Sequence, residues 1–161
     1  MASVDVKDTD LGWDKIQSQL AEFQNSSVLI GFQEGTVTKT EVKGQREKEG
    51  DRSIPEIAAE NEYGTSKIPA RPFMSTSFDE NRAKIQKLIT RQYLQVQDGK
   101  LTANQALTGV GVVMVGLVQQ KIRQIVTPPN SAKTIAEKGS SKPLIDFGQM
   151  IQSVREKVIK E

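Results

Sequence analysis

Two glutamates separated by a single residue, Glu60 and Glu62, are the closest approach in this sequence to a carboxylate pair for general acid–base work. Alternate residues on a helix face apart, so the pair serves that chemistry only with tertiary help and otherwise reads as a solvated helix end. The run "GTSK" at 64–67 has the close of a phosphate-binding loop, but Ala59 stands where the first glycine of that motif belongs, and no strand–loop–helix context surrounds it. Asp8, Asp10 and Gly12 have the opening spacing of a calcium loop without its third acidic position or its distal glutamate. Acids just ahead of a helix are explained by the positive end of its dipole. In "SSK" at 140–142 a serine precedes Lys142, but a Gly-Ser-Lys-Pro setting reads as connecting chain rather than as nucleophile and base.

The inventory is as restrictive as the spacing. The chain has no histidine and no cysteine. That removes Ser-His-Asp triads, thiolate chemistry, disulfides and the usual zinc sites, and agrees with a reducing compartment. Its 22 basic and 20 acidic residues leave a net charge of +2 and are interspersed, with no basic face visible along the sequence, so nothing in the sequence demands nucleic acid. At 161 residues with 36% hydrophobic and 26% charged, the expectation is one domain with a modest core that benefits from partners. The polar start "MASVDVKDTD" has no secretion pattern, and residues 1–9 are expected to be loosely ordered. The most apolar run, "ALTGVGVVMVGLV" at 106–118, falls short of a bilayer span, so no membrane role is expected.

Several elements must position whatever the chain does. Leu11, Ile16, Leu20 and Phe23 recur at helical spacing and predict an amphipathic helix over 10–24, with Trp13 on an adjoining stripe. "SVLIGFQ" at 27–33 reads as a strand, and "TVTKTEV" at 36–42 as a strand able to pair with it in a hairpin. Residues 43–52, "KGQREKEGDR", carry no apolar periodicity and predict an exposed loop. That loop is either a solvated spacer or an arm that orders on assembly, with Lys43, Arg46, Lys48 and Arg52 as candidate contacts to a neighbouring subunit.

Ser53, Pro55 and Glu56 form a capping signature for a short helix over 54–63 that ends at Gly64. Ser77 and Glu80 offer a second cap for a long helix running to Gln97, closed by Asp98 and Gly99. Thr102 and Gln105 offer a third, for a helix over 103–126. Gly109 and Gly116 inside that helix mark either a close approach by another helix or subunit, or a weak point with no further role. Pro128 and Pro129 end it, "SAKTIAEKG" gives a short surface helix, and the chain finishes in a helical turn capped by Asp146 and Gln149 and then a strand in which Val154, Glu156 and Val158 alternate.

Two stretches in this order, "IAAENEYGTSKIPARPFM" before a long helix and "TPPNSAKTIAEKGSSKPLIDFGQMIQSV" near the C-terminus, resemble the tail-completion or head-to-tail joining proteins of tailed bacteriophages. The likeness extends to "VLIGFQEGT" and spans roughly residues 27–155. It rests on Asn61, Glu62, Tyr63 and Gly64, on Pro69, Arg71, Pro72 and Phe73, and on Lys142, Pro143, Leu144, Asp146 and Gly148. Phe147 stands where the family pattern often has threonine, and the insertion at 43–52 looks longer than typical.

The resemblance implies an α+β subunit, a small antiparallel sheet packed against two long helices with short accessory helices. It implies a non-enzymatic virion protein of the neck, without cofactor or metal, that forms a homo-oligomeric ring, six-fold to match a tail tube. Its neighbours would be connector or stopper proteins and tail-terminator or tail-tube proteins, and DNA would pass through the lumen without sequence-specific binding. A DNA-binding accessory protein of a phage or prophage is the alternative, which the interspersed charge disfavours. In either case Pro69 and Pro72 stiffen a corner that aims Phe73 at the core. Arg71, held by that corner, has the donors to clamp a neighbour's carboxylate, a backbone carbonyl or an intrachain partner such as Glu62.

Overall fold

Apolar residues at helical spacing in the second half of the chain build two long helices that lie side by side, and the other elements pack around that pair. The computed structural model describes residues 12–32, 53–138, 141–145 and 148–161. In chain order these contain α1 (Trp13–Gln24), β1 (Ser26–Phe32), α2 (Ile54–Tyr63), α3 (Phe73–Gln97), α4 (Ala103–Gln124), α5 (Ala132–Lys138), α6 (Gln149–Ser153) and β2 (Val154–Lys160). The fold is α+β: among the described residues, a two-stranded antiparallel sheet and six helices, with α3 and α4 packed on each other and α4 on the sheet.

The sheet joins the two ends of the chain. β1 pairs with the C-terminal β2 from Ser26↔Lys160 to Phe32↔Val154. Because side chains alternate across a strand, this register puts Val28, Ile30 and Phe32 on the same face as Val158, Glu156 and Val154. The expected partner strand at 36–42 lies outside the described residues, as do residues 1–9 and the loop at 43–52 with Lys43, Arg46, Lys48 and Arg52.

Among the described residues, two buried clusters hold most of the core. One gathers Ile54, Ala58, Phe73, Val118, Ile122, Leu144, Met150, Ile151 and Val154, and joins α2, α4, α6 and β2 at the start of α3. The other gathers Phe23, Val96, Ala103, Ala106 and Leu107 where α1 crosses the α3–α4 turn. Each large apolar side chain so buried contributes about 1.5–3 kcal/mol relative to exposure. Edge-to-face rings reinforce both clusters: Phe32 on Phe73 at 6.1 Å and Phe23 on Tyr93 at 5.8 Å.

Several helix ends differ from expectation. α1 starts at Trp13, after Gly12 with φ 103. α2 has the expected bounds, but the Ser53 side chain makes no cap bond. α3 begins one turn before the Ser77–Glu80 signature, directly after Pro72, so Ser77 is wholly buried inside the helix instead of capping it. The Thr102–Gln105 box is complete, with both reciprocal bonds formed, and Gln19 of α1 accepts a further bond from Ala103 N–H at 2.8 Å. The helix it starts stops at Gln124, and Gly148, not Asp146, precedes α6, Asp146 lying outside the described residues.

The glycines of α4 also sort differently. A Cβ on Gly116 would meet nothing within 4 Å, and one on Gly109 would make ordinary contact with Gln92. The close approach is at Gly111, where a Cβ would stand 2.7 Å from Glu156 Cβ and 3.1 Å from Val28 Cγ1. Gly111 follows Leu107 by four residues and precedes Val118 by seven, on the buried stripe, and its missing side chain lets α4 lie against the sheet.

Candidate functional site

Seven of the residues that carry the resemblance, Asn61, Glu62, Gly64, Arg71, Phe73, Lys142 and Leu144, meet at one corner, where α2 ends, α3 begins and the chain leaves α4. Its first component is Glu62, on the last turn of α2 and almost wholly buried. Glu62 Oε2 accepts from Met74 N–H at 2.8 Å, and Oε1 accepts from Ser75 N–H at 3.0 Å and from the Ser75 hydroxyl at 2.7 Å. A carboxylate from the preceding helix thereby satisfies two free amides in the first turn of α3 and faces the positive end of its dipole. Both Glu62 oxygens are engaged with the start of α3 and not with Glu60.

Arg71 is the second component, 4% exposed. Its Nε donates to the carbonyl of Pro128 at 2.8 Å, one terminal nitrogen donates to Asn61 Oδ1 at 3.3 Å, and the other donates to the carbonyl of Pro129 at 3.1 Å. Asn61 is fixed from both sides, since its Nδ2 donates to Ile57 O at 2.8 Å and its carbonyl accepts from Arg71 N–H at 2.6 Å. Of the three partners the sequence allowed, the intrachain carbonyl prevails and Glu62 does not pair with Arg71. Burial among neutral acceptors pushes the guanidinium pKa below its ordinary value through desolvation.

Asn130 links the two stretches of the resemblance. Its Oδ1 lies 3.5 Å from Arg71 Nη2, while its Nδ2 donates to the carbonyl of Lys142 at 3.2 Å. Two residues on, Leu144 is buried in the same cluster as Phe73, which is 1% exposed, and Pro143 is buried beside it in sequence. Gly64 is required by the turn: its φ is 77, and a Cβ there would stand 2.9 Å from Ala70 N.

Pro69 and Pro72 are exposed, with Pro72 at the N-cap of α3. Tyr63, at 83% exposed, stands outside the corner although it belongs to the same motif. Sequence reasoning missed Asn130 and the carbonyls of Pro128 and Pro129, because nothing in "TPPN" announces an acceptor for an arginine 57 residues away.

The described residues hold no cluster of three or more metal-ligating side chains. A shallow groove between α3 and α4 is lined by Glu80, Asn81, Leu117, Gln120, Lys121 and Gln124. Its two charged residues pair with each other, Lys121 Nζ lying 2.6 Å from Glu80. No helix of the described residues is long and apolar enough to cross a membrane. Comparisons with protein-family profiles, with curated proteins and with solved structures find no match to this chain.

Proposed function

We propose that this chain is a structural subunit of a tailed-phage neck, a tail-completion or head-to-tail joining protein that forms a ring between the portal-side connector and the tail tube and lets DNA pass. The observation that carries this reading is the corner itself. The two stretches that resemble the family meet at Arg71, Asn130 and Lys142, where side-chain donors fasten onto backbone carbonyls of distant segments.

A ring closes only if every subunit presents its two complementary faces at one fixed angle, and a stiff corner between α2, α3 and the end of α4 supplies such an angle. Apolar surface for the contact is at hand. Val112 and Val113 are exposed at the centre of α4, and Gly116, one turn on, has no neighbour to cover it.

Interrupting the gene in the encoding phage tests the reading. DNA-filled heads and finished but separate tails are expected, with joining restored by the wild-type chain and not by Val112→Asp. An exposed valine contributes little to the fold, so that variant should keep its melting temperature. Normal joining of heads to tails without the chain would overturn the proposal.

A further inference from the structure

Charge is interspersed over the chain as a whole, but not along α3. Residues 81–97 of α3 hold Arg82, Lys84, Lys87 and Arg91 and no acidic residue, in a chain whose totals are 22 basic and 20 acidic. Lys84, Lys87 and Arg91 follow at intervals of three and four, so they share one line along the helix, about 10 Å long at 1.5 Å per residue. All three are exposed, and none of their side chains makes an ion pair or hydrogen bond with another described residue. Glu80 continues the line toward the helix start, where Lys121 neutralises it. Beside that end lie the amides of Asn81, Gln120 and Gln124.

Like charges at these intervals oppose the helix by a few tenths of a kcal/mol per pair, and nothing described in the chain offsets them. We propose that this face of α3 docks the phosphodiester backbone of double-stranded DNA. The proposal rests on the neck reading for the presence of DNA, and adds which surface meets it.

Three features select a duplex backbone over other partners. Lysine is depleted at the centres of protein–protein interfaces, whereas phosphates are held by Lys, Arg and uncharged amides, which is the composition here. The line carries no aromatic ring on which the bases of a single strand would stack. It also offers no carboxylate free to accept from a base edge, consistent with contact that ignores sequence.

The test is fluorescence anisotropy of a labelled random-sequence duplex titrated with the full chain at stepped salt, starting at low ionic strength where phosphate contacts are strongest. One variant carries Lys84→Gln, Lys87→Gln and Arg91→Gln. A control carries Lys15→Gln, Lys133→Gln and Lys157→Gln, exposed sites with the same loss of charge. Light scattering and thermal melts on the same samples report self-association and folding.

The α3 variant is expected to lower the slope of log affinity against log salt by about one unit per cation removed, about three in all, while the control leaves it nearly unchanged. Absence of binding by the wild type, or equal loss in both variants, overturns the proposal. So does an α3 variant that binds DNA normally but no longer self-associates, which would make the face a subunit contact. DNA binding through α3 in a chain whose loss leaves heads and tails joined would sustain the inference while removing the neck reading.

Discussion

The two ends of the α3–α4 hairpin are closed by different means. At the turn, polar closure is mostly local: Thr102 and Gln105 exchange bonds across three residues, Gly99 takes φ 69, and among the described hydrogen bonds there Gln19 alone reaches in from a distance. At the corner, closure is long-range, since Arg71 holds carbonyls 57 and 58 residues away, and Asn130 ties that assembly to Lys142. A local cap forms with its helix and fixes little beyond it. A long-range clamp exists only in the tertiary fold, and it fixes the angle at which whole elements meet.

The largest effect should come from the clamp. Arg71→Ala is expected to destabilise by about 2–3 kcal/mol in denaturant unfolding, the magnitude of hydrogen bonds to a charged group. A double-mutant cycle sharpens the comparison: Arg71 and Asn61 should couple by more than about 0.5 kcal/mol, while Arg71 and Thr102, at opposite ends, should add within that margin. Coupling of Arg71 to Thr102 as strong as to Asn61 would mean that the two ends are one unit and that the distinction fails.

Between the ends, the two glycines of α4 should respond to the same substitution with opposite signs. Gly111→Ala must push against Glu156 Cβ, which no side-chain rotation moves away, and overpacking should outweigh the helix gain for a net loss of about 1–2 kcal/mol. Gly116→Ala meets open space and should stabilise the free chain by about 0.5–1 kcal/mol. Thermal melts of the two variants check this, and a shift in the same direction would show that α4 does not lie against the sheet as described. The smallest of the losses belongs to the turn. Thr102→Ala should cost about 1 kcal/mol in the same melts, because Gln19 still accepts from Ala103. A loss as large as that of Arg71→Ala would contradict the ranking of the two ends.

What the sequence made legible follows the same division. The bounds of α2, the Thr102–Gln105 box and the terminal strand were readable because their signals lie within a few residues of what they specify. The start of α3 was not, since Ser77 and Glu80 match a cap in pattern while the actual cap, Glu62, comes from the preceding helix. Arg71 stood out between two prolines, but its acceptors are backbone carbonyls, which every residue possesses and no residue type advertises. Gly111 was legible in principle, as the one glycine of α4 in phase with Leu107 and Val118 on the buried stripe. The sorting of charge on α3 required the same step, from a list of residues to a helix face.

Imaging of tailed particles recovered from cultures that express this gene, with gold-labelled antibody against this chain, tests the proposed place of the protein most directly. Label confined to the junction between head and tail is expected, with loss of that label together with loss of joining when the gene is interrupted. Label on capsid faces, at fibre tips, or absent from the particle altogether would contradict it.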